Sequence, residues 1–479
     1  MTFNLNISEI IKAIKAADFT DHGNNSIVIK NITTDSRRIL PDSLFFALKG
    51  DKFDGHDFVE KAIESGAVGA VVRKDNANII NSVKNLSLHQ ENQENAVIIY
   101  VEDTVQALLD LSRYYKSLFS IDKTVAVTGS VGKTTTKEMI YSVTSEKYKT
   151  QKNEGNLNTE IGMAATLFGL EKETEAVVLE MGMSAFGEIS RLSRTANPDT
   201  AVITNIGTSH IEMLGSREGI KKAKFEILDG MSDKSNIILN ADEPLLYMEK
   251  GKTGRTEYFF GLKNKDADFT ADNIKFDYEN NASYFEVKNK IFKIPAVGIH
   301  NIYDALPAVV TGYIYGLTDV QIQNGFNNFK NAKMRQNIYE FHGITIIDDC
   351  YNASVESVTA AFDVLCGLAK SKNGGNGRKI AVLSDILEAG GYSEEIHSKI
   401  GAAAAEREID MVFLYGDKSK ITFDTIEKLN KKCKRFYFTD KIKISGMLCE
   451  QIKKDDTVLF KASRGMALET VLDDFKNKF

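Results

Sequence analysis

Between Thr124 and Glu138 the chain reads Thr-Val-Ala-Val-Thr-Gly-Ser-Val-Gly-Lys-Thr-Thr-Thr-Lys-Glu, a β-branched strand running through two glycines into a helix. Gly129 and Gly132 permit a tight turn whose backbone N–H groups point at phosphate oxygens, and the following helix aims its positive end at the same anion. Lys133 supplies a cation for the β- and γ-phosphates, and the Thr134 hydroxyl can ligate magnesium. Three successive threonines start a helix poorly, because β-branched side chains lose rotamer freedom there. Such a departure from local propensity marks a site. The full G-x-x-x-x-G-K-[ST] pattern would place glycine at position 127, where this chain has Val127. The loop is therefore a short form made of Gly129, Ser130, Val131, Gly132, Lys133, Thr134 and Thr135. A tight strand–helix turn with a surface lysine is the plainer alternative, and the strand before it argues against that. A nucleoside triphosphate is the expected ligand.

A length of 479 residues predicts about three domains, each able to bury its own core. The 60 basic and 66 acidic residues are mixed along the chain, giving a net charge of −6. That balance excludes general nucleic-acid binding and a polybasic membrane anchor. Four cysteines without a C-x-x-C pair or zinc spacing read as reduced thiols of a cytoplasmic protein. The N-terminus lacks the basic start and apolar run of a signal peptide, and no apolar stretch approaches the ~20 residues that span a bilayer. No membrane insertion is expected.

Residues 1–120 read as a small α/β domain. A helix is predicted from Ile7 to Ala17, strands at Ile27–Ile32, Leu44–Leu48 and Val68–Val72, and a helix from Thr104 to Phe119 capped by Asp103. Val105, Leu108, Leu111, Tyr115 and Leu118 form its expected apolar face. Asp35, Ser36 and Arg37 could hold a phosphorylated ligand or simply close a turn through their own side chains, and a second Gly/Asp loop follows at residues 50–57. Residues 121–333 alternate strands at Thr124–Val127, Ala176–Leu179, Thr200–Thr204 and Asn236–Leu239 with helices, which predicts a P-loop domain built on a parallel sheet. Glu180 and His210 follow such strands, where ligands of parallel sheets bind, and Glu180 suits a Walker-B-like carboxylate on magnesium. From about 255 to 295 the pattern becomes an antiparallel flap. Residues 334–479 carry five more short strands between helices, a Rossmann-like domain without G-x-G-x-x-G.

These motifs follow one another in a recognisable order. The phosphate loop, Asn156-Leu-Asn-Thr-Glu-Ile-Gly162, Glu180-Met-Gly, Asn205-Ile-Gly-Thr-Ser-His210, Ala223-Lys-Phe-Glu-Ile227 and His300-Asn301 together resemble the Mur ligase family, cytoplasmic ATP-dependent amide ligases of peptidoglycan synthesis. In the third domain, Met334-Arg335, Ile347-Asp-Asp-Cys-Tyr-Asn-Ala353, Leu383-Ser-Asp-Ile-Leu-Glu388 with His397, and Lys461-Ala-Ser-Arg-Gly-Met466 resemble the members that add a dipeptide. The resemblance covers essentially the whole chain. It implies a UDP-sugar domain, an ATPase domain and an amino-substrate domain, with UDP-N-acetylmuramoyl-tripeptide and D-alanyl-D-alanine as substrates and a monomer as the working form.

It also implies roles by position. Gly129 to Thr135 would hold phosphates; Thr134 and Glu180 would ligate one magnesium, with His210 and a carbamylated Lys224 serving a second. Asn301 would contact adenine, and Arg335 and Asp349 would reach ATP from the third domain. Asp35, Ser36, Arg37, Asn158 and Thr159 would serve the UDP-sugar peptide, and Asn352, Lys461, Ser463 and Arg464 the incoming dipeptide. The family's Y-N-A-N-P, G-D-M and K-G-S-R segments read here Tyr351-Asn-Ala-Ser-Val355, Ser384-Asp-Ile386 and Lys461-Ala-Ser-Arg464, and an asparagine common three residues after His-Asn is Asp304. Sibling ligases adding one amino acid, folate-type ligases, a P-loop kinase and a nucleotide-gated binding protein are the rivals. The 349–353 segment weighs against the first two.

Overall fold

Strands buried on both faces need apolar residues at every position, and the central strands here have them. In the computed structural model, which describes residues 4–20, 27–50, 52–75 and 96–479, Val125, Val127, Val178, Val202 and Ile238 pack on one side of a sheet. Ala126, Val177, Leu179, Ala201, Ile203, Ile237 and Leu239 pack on the other. The sheet has seven strands among the described residues, in the order Phe269–Thr270, Thr256–Gly261, Asn236–Asn240, Thr200–Ile203, Lys123–Thr128, Ala176–Glu180 and Thr150–Lys152, all parallel. The chain leaves Lys123–Thr128 toward one edge and later crosses to the other. That reversal opens a crevice at the carboxyl end of the strand, where the phosphate loop begins.

Among the described residues the N-terminal domain has a five-stranded sheet ordered Asp18–Phe19, Val97–Val101, Ala67–Arg73, Ser43–Phe46 and Asn31–Thr33. Its helix Thr104–Ser117 is capped by Asp103, whose carboxylate accepts from Val105 N and Gln106 N at 2.8 and 3.0 Å. Leu108, Leu111 and Tyr115 of this helix share one core with Leu167 and Leu192 of the P-loop domain, and Lys116 Nζ donates to Ala196 O at 2.7 Å. The third domain carries a six-stranded sheet ordered Asn337–Phe341, Ile344–Asp349, Thr457–Lys461, Lys379–Ser384, Met411–Tyr415 and Lys434–Phe438, antiparallel only at its first pair. No described helix is long and apolar enough to cross a membrane.

Five expectations are corrected. The first helix is Ile7–Ala13, because Lys15 turns to φ 52° and Ala17 N joins the sheet by donating to Tyr100 O. Ile27–Ile32 is two strands in two sheets: Val28–Ile29 pairs with Leu5–Asn6, and Asn31–Thr33 with Ser43–Phe46, while Lys30 between them bonds Asp42 through backbone and side chain. Leu118 lies past the helix end and is exposed. The flap begins only at Asp272, since Thr256–Gly261 and Phe269–Thr270 extend the parallel sheet; Asp272–Asp277, Ala282–Val287 and Lys290–Ile294 form the antiparallel unit. Asn337–Phe341 is an additional strand, joined to Ile344–Asp349 across His342 and Gly343, both at positive φ as a two-residue hairpin turn requires. Met1 to Phe3 of the N-terminus and Asp51 of the second Gly/Asp loop lie outside the described residues.

Candidate active site

The phosphate loop leaves no room for side chains at its two glycines. Gly129 and Gly132 sit at φ 153° and 83°, and a Cβ would come within 1.9 Å of Thr204 Oγ1 and 2.2 Å of Asp304 Oδ1 respectively. The loop is braced from the next strand. Thr204 Oγ1 donates to Val131 O at 2.6 Å, the Asn205 amide bonds Val131 N and O at 3.0 Å each, and Gly207 N donates to Ser130 Oγ at 2.8 Å. Lys133 folds onto its own loop, donating to Gly129 O at 2.9 Å and Ser130 O at 3.3 Å. Burial pushes its ammonium down, Glu180 opposes that shift and Arg335 adds to it.

Glu180 ends the strand Ala176–Glu180 and is 2% exposed. One oxygen accepts from Thr134 Oγ1 at 2.7 Å and the other from Asn158 Nδ2 at 2.8 Å. Two hard oxygens beside a phosphate loop suit magnesium, which takes few protein ligands and completes its shell with phosphate and water. No group of three or more His, Cys, Asp or Glu that could hold a metal ion is found among the described residues. Lys224 is 2% exposed, and its side chain makes no hydrogen bond or ion pair among the described residues. Burial first, then the neighbouring charge of Lys133, pushes its pKa well down.

Third-domain groups face this loop. Lys461 Nζ bonds the Asp349 carboxylate and donates to Asn352 O at 3.1 Å; Asp349 also accepts from Gln336 N at 3.2 Å. The Arg335 guanidinium lies 4.2 Å from the Tyr351 ring centroid. Asn301 Nδ2 donates to Val297 O at 2.8 Å and Gln336 Oε1 at 3.2 Å. His210 Nδ1 lies 2.7 Å from Glu388 Oε2, a bond that crosses between the domains and holds the Glu388 carboxyl low. Ser463 Oγ accepts from Leu387 N at 3.0 Å, and Arg464 pairs with Glu469 at 2.7 Å.

Three clefts open around these groups. One, of about 290 Å³, runs between the phosphate loop, with Thr134 and Thr135, and Asn301, Arg335 and Asp349. A second, of about 340 Å³, is lined by Asn158, Thr159, Glu160, Glu180, His210 and Arg335. A third, of about 160 Å³, lies among His210, Ile386, Leu387, Ile396, Ser463 and Arg464. Lys133 and Asn352 wall all three. Asp35, Ser36 and Arg37 stand apart from them. There Arg37 donates to both Asp35 oxygens at 2.9 Å, closing the turn. Tyr351, a motif residue given no role in the sequence, also lines these clefts, as do Gln336 and Glu356, which carry no signal beyond adjacency to motif residues.

Asp304, 7% exposed, accepts from Thr136 Oγ1 at 3.4 Å beside Gly132, and burial pushes its carboxyl up to about 8. An unfolded aspartate ionises near ~3.9. Between there and about 8 the native chain keeps a proton that the unfolded chain has lost, so stability falls as pH rises through that window. Asp304→Asn removes this term. Its melting temperature should therefore decline less than the parent's between pH ~5 and ~8; parallel profiles would contradict the assignment.

Three family models match in chain order: "Mur ligase family, catalytic domain" over residues 28–116, "Mur ligase middle domain" over 127–312 and "Mur ligase, glutamate ligase domain" over 334–464. The UDP-N-acetylmuramoyl-tripeptide–D-alanyl-D-alanine ligase of Bacillus subtilis is 38% identical over 98% of this chain and 97% of its own. Its Escherichia coli counterpart is 31% identical over 93% of each. The crystal structure of MurF from Acinetobacter baumannii superposes with a TM-score of 0.86 at 28% identity, covering 99% of both chains. MurF of Thermotoga maritima, solved in complex with ADP, gives 0.79 at 28% identity over 94% of this chain and 97% of that one. Matched end to end by these relatives and carrying all three of their domains, the chain belongs to the Mur ligase family.

Proposed function

We propose that the protein joins D-alanyl-D-alanine to UDP-N-acetylmuramoyl-tripeptide at the expense of ATP, a cytoplasmic step in peptidoglycan precursor synthesis. The observation that carries this reading is the meeting of three clefts at Lys133 and Asn352. A kinase needs two such clefts; an ATP-driven ligase needs three. The cleft beside the phosphate loop takes ATP, the one beside Asn158, Thr159 and Glu180 takes the tripeptide carboxylate, and the smallest, beside Ser463 and Arg464, takes the dipeptide. Asp35, Ser36 and Arg37, remote from all three, serve the far uridine end of the extended acyl substrate.

A carboxylate is a poor acyl donor. Its oxygen takes the γ-phosphoryl group of ATP, forming an acyl phosphate and releasing ADP. The dipeptide amine, having lost a proton, then attacks the acyl carbon, and inorganic phosphate leaves as the amide forms. The first transfer demands alignment and charge neutralisation. Lys133 and Arg335 supply positive charge, while Asn301 and Asp349 seat the nucleotide. Thr134 and Glu180 would hold magnesium, and His210 with Lys224 a second ion; bound there, the metal would offset phosphate charge. A buried lysine with no anionic partner among the described residues fits this assignment once carbamylated: its neutral amine adds carbon dioxide, releases a proton and becomes an anion. Mass spectrometry of the product from ATP and both substrates tests the reading. The adduct should gain one D-alanyl-D-alanine with loss of water, and phosphate release should require both co-substrates; phosphorylation of the tripeptide without amide formation would favour a kinase.

A further inference from the structure

Glu180 is oriented at its backbone as well as at its two oxygens. The strand Thr150–Lys152 pairs with Ala176–Val178 and then ends. Beyond that point the side chain of Asn153 takes over the pairing. Its Oδ1 accepts from Glu180 N at 2.9 Å, and its Nδ2 donates to Glu180 O at 3.0 Å and to Leu157 O at 2.8 Å. An amide meets that demand because it offers one acceptor and two donors in a plane. Asn153 is itself held from the phosphate-loop helix. Lys137, one helical turn beyond Lys133 and 0% exposed, donates from Nζ to Asn153 O at 2.6 Å. The remaining partner of that ammonium is Glu138, 3.0 Å away and also bonded to Lys152.

We propose that Lys137 and Asn153 are positioning residues for the ligation reaction: together they clamp the end of the strand that carries Glu180, and the segment that carries Asn158, to the helix that follows the phosphate loop. The proposal rests on the reading of Glu180 as a magnesium ligand. Its geometry is specific. Lys133 and Lys137 leave the same helix one turn apart, Lys133 at the junction of the three clefts and Lys137 onto the backbone of Asn153. Any shift of that helix is thereby transmitted to Asn153, and through Asn153 to the metal-facing carboxylate and the Asn158 amide on it. A buried lysine is expensive to keep unless its donors are used. Here they serve the clamp, and the chain could have used a leucine if packing were all that mattered.

The test uses the full-length enzyme with steady-state kinetics and a magnesium titration. Asn153→Asp keeps the acceptor for Glu180 N and removes both donors; Lys137→Met keeps the bulk and removes the charge; Lys137→Gln restores one donor. Losing a group that orients a metal ligand typically costs about 10- to 100-fold in metal affinity or activity. The expected result is that Asn153→Asp and Lys137→Met raise the magnesium concentration for half-maximal rate and lower kcat by that order. KM for D-alanyl-D-alanine should stay within about twofold, and Lys137→Gln should recover part of the loss. A parent enzyme that makes no amide product refutes the proposed function before any variant is compared. With an active parent, an unchanged magnesium response overturns the clamp. So does a uniform fall in every kinetic constant together with melting temperature, or a loss of folding in both Asn153→Asp and Lys137→Gln.

Discussion

Replacing Lys133 by alanine should lower the rate of ligation by at least about a hundredfold, the usual cost of losing one preorganised electrostatic donor to a developing charge. The effect is large because Lys133 stands at the junction of all three clefts and no other side chain of the loop is cationic. Its ammonium rests on two carbonyls of its own loop, Gly129 O and Ser130 O. Removing it leaves those carbonyls facing the cleft and unpaired with a donor, so phosphate meets a partial negative charge where it had met a cation. The fold should survive, since Lys133 is not part of either core cluster around the sheet. Phosphate release and circular dichroism on the same preparation check this. Turnover near the parent's in a folded variant would exclude the role given to Lys133.

Lys224→Ala should lose activity to a similar extent, and short-chain carboxylic acids added to the assay should restore part of it. An unmodified ammonium close enough to Lys133 to have its pKa depressed by it would repel a metal ion. The carbamate reverses that sign, adding a carboxylate-like group that a hard cation accepts. Acetate or propionate can occupy the vacated space with the same charge. Full activity of Lys224→Ala without any added acid would falsify the proposal, as would an unmodified ε-amine in a crystal grown with magnesium, nucleotide and bicarbonate.

The strands and the phosphate loop were legible because they are governed by local rules. Val125, Val127, Val178 and Val202 are apolar at positions that a doubly covered sheet must fill, and the run from Thr128 to Thr136 has few other uses. What the sequence concealed depends on distance. The two strands around Lys30 look like one alternating run until Asp42, twelve residues on, ties the chain between two sheets. The strand Asn337–Phe341 ends at His342-Gly343, a weak hairpin signal because a two-residue turn beginning with histidine is an unusual one. Lys224 follows Lys221 and Lys222, a pattern that reads as a solvated helix face; Lys221 does pair with Glu249, whereas Lys224 is buried, near enough to Lys133 for that charge to lower its pKa. At the site, the resemblance implies Thr134 and Glu180 on one magnesium and Asn158 on the acyl substrate; the structure puts Thr134 and Asn158 each within hydrogen-bond distance of Glu180, a link between the two groups that the motifs did not imply. The bond of His210 to Glu388 and the hold of Asn153 on Glu180 belong to no motif, since each joins residues whose proximity only the tertiary fold creates.

The common wall that Lys133 and Asn352 give to three clefts has a thermodynamic consequence. Any coupling through that wall must be reciprocal: whatever factor nucleotide imposes on the affinity for the dipeptide, the dipeptide must impose on nucleotide, because both paths around the binding cycle reach the same ternary state. The same holds for each other pair. Measuring how one ligand shifts the dissociation constant of a second therefore fixes the reverse shift without a further experiment. An inhibitor that fills one cleft and displaces Lys133 or Asn352 would register as altered affinity in the other two, even though it touches neither of their ligands.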